Sequence, residues 1–491
     1  MKRSTVADAV GVGAAKLAAS VCVIAAGFRA VSDDDYARIV IAQRFAETPH
    51  LDPSGTSWLP VPFWIYGAAF RLLGGSLAVA QGVAVFLGVG AALLLLRAAR
   101  LCGAGRAGAL LGALLAALFP WSVYLGAAAV PEAPTAALLV YGMATLAVDA
   151  PRERALGAFA IAAGCFSRYE AWPVAAVFAV FTLLDARKAR DARAALPAFV
   201  ALGPIALWLL HGVFIHGDAL FFWKRVAAYR HALGPGPLLG ARLLAVPRWL
   251  FATEPELWLG LLVVLGDARS LSRMRRPLVA CAALFAFLAL GEVMGGGPTH
   301  HAERAVLAVW FVAALGLGGA LGRAIERRPA RRLAWCAYAA AVLVFGWLYR
   351  AAERPDFVDR GPEIEAGARA RELGAPALLI DTLDYGYLAV TASFGKPNAA
   401  VPFDDRDPRH ASSPDALASV DALRSAWSRD PSAWLALRTP FNALHVAVAR
   451  RSGTVRAESP RFVLIAPGPA TDPNDESAGT PSAYPRLRPY K

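Results

Sequence analysis

The sequence predicts a polytopic α-helical membrane protein with a small α/β domain at its C-terminal end. Three observations carry this reading. Hydrophobic residues make up 57% of the chain, against about 45–50% in soluble proteins, and the mean hydropathy is +0.45. Apolar runs of Leu, Ala, Val and Phe recur through the first 350 residues, broken by short Arg-rich or Gly/Pro-rich pieces, as successive membrane spans require. Beyond Arg350 the chain changes to short strand-like and helix-like segments. The net charge of +13 would suggest a nucleic-acid partner in a soluble chain. Here the arginines fall between apolar runs, where membrane orientation explains them, so no nucleic-acid partner is expected.

About eleven transmembrane helices are expected, near 11–31, 76–96, 107–121, 132–149, 155–167, 172–184, 195–215, 249–266, 277–294, 304–322 and 333–350. The first is read as an uncleaved span, because "GFRAVSDDD" offers a poor cleavage site after the basic start and apolar core. The fifth and sixth runs are short and could form one helix interrupted at "SRYEAWP". Charge decides for two. Counted so, the connections with Arg97, Arg100 and Arg106, with Arg152 and Arg154, and the runs "ARKARDAR", "RSLSRMRR" and "RAIERRPARR" all fall on the side of Lys2 and Arg3. The opposite side receives Trp58, Trp64, Trp121, Trp172, Trp223 and Trp249 as an aromatic belt, and everything after Arg350. Five cysteines all lie within or at the edge of apolar runs, with no disulfide or zinc spacing.

The expected domains are residues 1–350 in the membrane, 351–465 as an extracytoplasmic α/β domain, and 466–491 as a Pro-rich tail. In the second, "ALLIDT", "ALHVAVAR" and "RFVLIAPG" read as strands and "PDALASVDALRSAWS" as a helix. "FDDRDPRH" is acidic too, but turn chemistry accounts for it.

The stretch "SDDDYARIVIAQRF" after the first span reads locally as a helix start. Ser32 or Asp33 caps it, the next carboxylates complement the dipole, and Tyr36, Ile39, Val40 and Gln43 share a face. That does not explain three adjacent carboxylates at a membrane surface, where each raises the cost of ionising the next. Together with "TSWLPVPFWIYGAAFRLLG", Glu132 after "YLGAAAVPE", "SRYEAW" and "HHAER", the order of motifs resembles the GT-C superfamily of polyprenyl-phosphate-sugar-dependent glycosyltransferases. The branch it looks most like is the protein mannosyltransferase and aminoarabinose lipid transferase type, over about the first 350 residues.

The expected location is integral to a bacterial inner membrane; the resemblance implies a site at the outer face, and the alternation of basic loops with an odd number of spans puts the C-terminus outside. The resemblance also implies inverting transfer from a polyprenyl-phosphate sugar to an acceptor glycan, lipid or protein. Such chemistry needs a carboxylate to take the acceptor proton, cations to hold the departing lipid phosphate, and a groove open to membrane lipid. The family's loop-one acid carries over to Asp34 or Asp35, with Asp33 adjacent. No cofactor is named by the residues, and dependence on a divalent metal is left open.

Other candidates each have a plainer reading beside them. Glu132 is a second acid or a first-turn carboxylate after Pro131. Arg168, Tyr169 and Glu170 lie in a loop too short to leave the membrane surface, where ionisable groups are functional by default, although Arg168 could pair with Glu170 or a lipid head group. His300, His301, Glu303 and Arg304 follow a glycine run; HHxE is a weak metal spacing, and phosphate contact by Arg304 is the better use. Lys224, Arg225, Arg230 and His231 fall in an amphipathic piece suited to an interface with anionic lipid or to substrate. The rival class, a transporter or flippase, should show midplane charges and internal repeats; Lys16 is the only obvious charge within an expected span, and no repeat is visible. A non-catalytic scaffold would leave the acidic cluster without a role.

Overall fold

The computed structural model describes residues 3–232, 238–262, 268–295, 301–353, 357–380, 385–402, 420–439 and 443–468. The chain divides into two compact units, one of Met1–Val31, Ser54–Pro62 and Gln81–Asp356, the other of Ser32–Pro53, Phe63–Ala80 and Phe357–Lys491.

The first unit is helical. Among the described residues, six helices are long and apolar enough to cross a membrane: Thr5–Ala25, Leu77–Leu101, Ala192–His216, Ser272–Val293, Ala302–Arg327 and Pro329–Ala352. The chain is thus an integral membrane protein; about eleven spans were expected, and six of the described helices have the length and apolarity of one. The remaining apolar runs form shorter helices, Arg106–Leu118, Glu132–Thr145, Pro151–Cys165 and Ala171–Ala189 among them. The helix expected over 249–266 does not exist as one piece. Leu239–Ala252 ends before Thr253 and Glu254, and a new helix starts at Pro255, because proline lacks the N–H and disfavours helical geometry in the residue before it. The first helix stops at Ala25 rather than near 31, where Gly27 takes φ +102° and the Phe28 N–H closes the end on the Val23 carbonyl at 3.0 Å. Between Cys165 and Ala171 the chain turns, so the run at "SRYEAW" is two helices.

The helix Leu307–Arg327 is the centre of this unit, buried along most of its length. It packs on Arg106–Leu118 through Gly318 and Gly322 against Gly112 and Gly108, backbone on backbone, the close approach that small residues four apart allow. A Cβ on Gly318 would overlap the backbone of Gly112. Gly318→Leu is therefore expected to destabilise the unit by about 1–3 kcal/mol or more, read as a lower thermal midpoint in detergent. Gly319→Ala, whose Cβ would meet only Arg323 at 3.7 Å, should match wild type, and equal midpoints for the two variants would show that the crossing is not tight. The buried Lys16 has a structural use: Nζ donates to the carbonyls of Ala117 at 3.0 Å and Ser122 at 2.6 Å, across the break between Arg106–Leu118 and Pro120–Leu125. A cation at the carbonyls of a helix's last turn is favourable on both hydrogen-bonding and dipole grounds.

The second unit holds a five-stranded sheet of β1 (Leu378–Ile380), β2 (Ala400–Pro402), β3 (Trp434–Arg438), β4 (Gly453–Glu458) and β5 (Phe462–Pro467), in the order β2-β1-β3-β5-β4. β1 is parallel to β2 and β3, and β5 is antiparallel to β3 and β4. β1, β3 and β5 are apolar on both faces, as strands covered on both sides must be. "ALLIDT" and "RFVLIAPG" do contain strands, whereas "ALHVAVAR" lies in the helix Ala443–Ser452. Its buried Val446 and Ala449 are three apart, a helical spacing that a nearly continuous apolar run disguises. Part of "PDALASVDALRSAWS" forms the helix Val420–Arg429; "FDDRDPRH" and the tail after Gly468 lie outside the described residues.

Candidate active site

The acidic stretch forms the helix Asp33–Glu47, with Ser32 as N-cap in extended geometry. Asp35 accepts the Ser32 N–H at 3.2 Å, and three carboxylates in the first turn complement the dipole. Tyr36, Ile39, Val40 and Gln43 form the buried face, as the periodicity predicts. Gln43 Nε2 donates to the carbonyls of Gly75 and Ala392, both at 2.9 Å. The three aspartates differ in environment. Asp33 receives a two-pronged bond from Arg360, at 2.9 and 2.8 Å. Asp35 is only 1% exposed, while Asp34 is half-buried. Burial first, and then the neighbouring Asp35 and Asp33 carboxylates, push the Tyr36 hydroxyl well above its ordinary range, so it stays a phenol.

In the membrane unit the structure brings Glu132, Arg168, Glu170 and Arg304 together. Glu132 opens the helix Glu132–Thr145 and is 2% exposed. Its Oε1 lies 2.5 Å from Arg168 Nη1 and 3.5 Å from Arg304 Nη1, and Arg168 Nε also pairs with Glu170. One buried carboxylate thus orients two guanidiniums that lie far apart in sequence. Arg304 Nε donates to the His301 carbonyl at 3.1 Å, in the short 3₁₀ turn Ala302–Val306 that "HHAER" forms. Arg304 pairs with Glu132; Glu303 instead faces His301 Nδ1 at 3.3 Å. His300 lies outside the described residues.

Tyr169 belongs to an aromatic cluster beside this set. It stacks on Phe222 at 4.3 Å, donates to the Ser57 carbonyl at 2.8 Å, and accepts the Trp208 indole N–H at 3.1 Å. The amphipathic helix Phe221–Ala232 keeps some of its cations in internal pairs. Lys224 contacts Asp218 at 2.6 Å but is 74% exposed, and Arg230 forks onto Glu292 at 3.2 Å on both prongs. Arg225 is half-buried on the same helix.

A further buried group lies outside every motif singled out above. Glu254 and Glu256, each 1% exposed, sit at the helix break within the run expected as a span, so Lys16 is not the only charge in those runs. Glu254 accepts the Trp121 backbone N–H at 3.0 Å and lies 3.7 Å from Arg350. Arg350 lies 5.5 Å from the Trp121 ring, which in turn meets His301 at 5.8 Å. Two carboxylates in an apolar run are the signal that could have found them.

Long apolar helices with a buried polar set, and a small mixed sheet, describe a helical membrane protein, and solved structures share its fold. ArnT from Cupriavidus metallidurans in the apo state matches with TM-score 0.58 at 15% identity, over 94% of this chain and 97% of that one. The same protein bound to undecaprenyl phosphate matches with TM-score 0.57 at 15% identity, over the same shares of the two chains. The Archaeoglobus fulgidus oligosaccharyltransferase in its apo form matches with TM-score 0.55 at 13% identity, over 95% of this chain and 75% of that one. Both proteins are GT-C superfamily members; at this identity the likeness is one of fold. No family model and no curated protein matches the chain.

Proposed function

We propose that the chain is an inverting glycosyltransferase that moves a sugar from a polyprenyl-phosphate donor to an acceptor glycan, lipid or protein at the outer face of a bacterial inner membrane. The observation that carries this reading is the pairing of Arg168 and Arg304 with the buried Glu132 in a fold shared with a protein crystallised with undecaprenyl phosphate. Departure of the sugar leaves charge on the lipid phosphate, and cations fixed in a poorly hydrated site stabilise that charge without reorganising. Guanidinium suits the task because its planar donors match two phosphate oxygens at once. Glu132 holds both arginines in place before the phosphate arrives. Asp34 or Asp35 takes the proton of the acceptor hydroxyl as it attacks the anomeric carbon from the face opposite the leaving phosphate.

The test is binding of undecaprenyl phosphate to the protein in nanodiscs. Wild type should bind, and Arg168→Ala should weaken binding by roughly tenfold or more, since a hydrogen bond to a charged group contributes about 1.5–3 kcal/mol. Equal affinity for wild type and variant would remove the lipid phosphate from this site.

A further inference from the structure

Asp33, Arg360, Glu363 and Arg438 form one ionic chain that runs from the sheet to the first residue of the acidic helix. Arg438, the last residue of β3, donates from Nη2 to Glu363 Oε1 at 3.0 Å and lies 5.5 Å from the Phe462 ring centroid. The same Glu363 oxygen accepts Arg360 Nη1 at 3.3 Å. Arg360 then forks onto Asp33, Nε to Oδ1 at 2.9 Å and Nη2 to Oδ2 at 2.8 Å. These side chains are 5–20% exposed, so solvent screens the chain little. The far part of the helix is tied to the same unit through Gln43 on the Ala392 carbonyl at 2.9 Å, Arg44 on the Pro397 carbonyl at 3.4 Å, and Glu47 with Asn398.

The geometry has a directional consequence. A point charge fixes a distance, whereas a two-pronged guanidinium–carboxylate pair also fixes rotation. On a helix with 3.6 residues per turn, a slip by one residue rotates every side chain by about 100°. Asp34 follows Asp33 directly, so whatever fixes the helix at Asp33 also fixes the backbone from which the Asp34 side chain projects.

We propose that Arg360 is a positioning residue: through its fork on Asp33, the C-terminal sheet sets the rotation of the acidic helix and the direction of the Asp34 carboxylate. Asp33 is then the anchor of the cluster and not its base. The catalytic consequence rests on the transfer reading given above; the tie itself does not.

Two readouts on the full chain in nanodiscs keep these apart. Hydrogen exchange of residues 33–47 in Arg360→Gln should rise by about tenfold or more, with Leu307–Arg327 unchanged and Arg360→Lys in between. Exchange equal to wild type in Arg360→Gln overturns the tie. In sugar transfer, Arg360→Gln and Asp33→Asn should each lower kcat by roughly 10- to 10²-fold at unchanged donor KM, the loss expected of a misdirected group. The double variant should stay within about twofold of either single one, because both act through one bond. Losses that multiply, or an Asp33→Asn loss far exceeding that of Arg360→Gln, overturn the assignment of Asp33 as anchor. Exchange needs no substrate, so a wild-type chain that moves no sugar would refute the transfer reading while exchange still decides the tie.

Discussion

Asp34→Asn is expected to lower the rate of sugar transfer by a factor of about 10²–10⁴, the usual contribution of a positioned general base. Asn is close to isosteric and keeps an acceptor oxygen, so the helix Asp33–Glu47 should still form and the melting temperature should change little. Asp34 is the better choice of the two candidates on accessibility. It is half-buried, whereas Asp35 is 1% exposed and accepts the Ser32 N–H. A base must reach the acceptor hydroxyl. Asp35→Asn should therefore show its effect first in stability, by about 0.5–2 kcal/mol as for other losses at a helix start. Initial rates at saturating donor, set beside melting curves, separate the two roles. If Asp34→Asn and Asp35→Asn both transfer sugar at near wild-type rates, the carboxylates serve only the helix.

Arg304→Ala is expected to lower turnover by about 10²–10³, the loss typical of removing one preorganised donor from a developing anion. Arg304→Lys should recover only part of it. Lysine keeps the charge but cannot offer parallel donors, and it would also have to reproduce the contact at 3.5 Å to Glu132 and the bond at 3.1 Å to the His301 carbonyl. The measurement is donor turnover for both variants at equal protein levels. A Lys variant as fast as wild type would mean that Arg304 supplies charge to a surface and does not grip the phosphate.

Much of this was legible in the sequence, and the reasons for the rest are physical. The start of Asp33–Glu47 and its buried face followed from Ser32, three carboxylates and a 3.6-residue period, all local signals. The turn at "SRYEAW" followed from the sidedness of arginines, which is a sum over the whole chain. The break at Thr253–Glu254 was hidden because averaging over a run rich in Trp and Leu cancels two carboxylates, although Pro255 between them marked the place. "ALHVAVAR" was read as a strand because its period is ambiguous over so few residues. The partner of Asp33 could not be read at all. Arg360 is 327 residues away, and nothing in either local sequence encodes the pairing. For the same reason Glu132 and Arg304 were each singled out, but their meeting was not foreseen.

The most direct measurement follows both products of one turnover. Purified protein in nanodiscs is incubated with a panel of polyprenyl-phosphate sugars carrying radiolabel in the sugar, with membrane extract as the source of acceptor. Free polyprenyl phosphate and transferred label are counted together. The account predicts, for at least one donor, one polyprenyl phosphate released per sugar transferred, with both signals reduced in parallel in Asp34→Asn and Arg304→Ala. Unchanged lipid-linked sugar across the whole panel, or release that both variants leave intact, would contradict it.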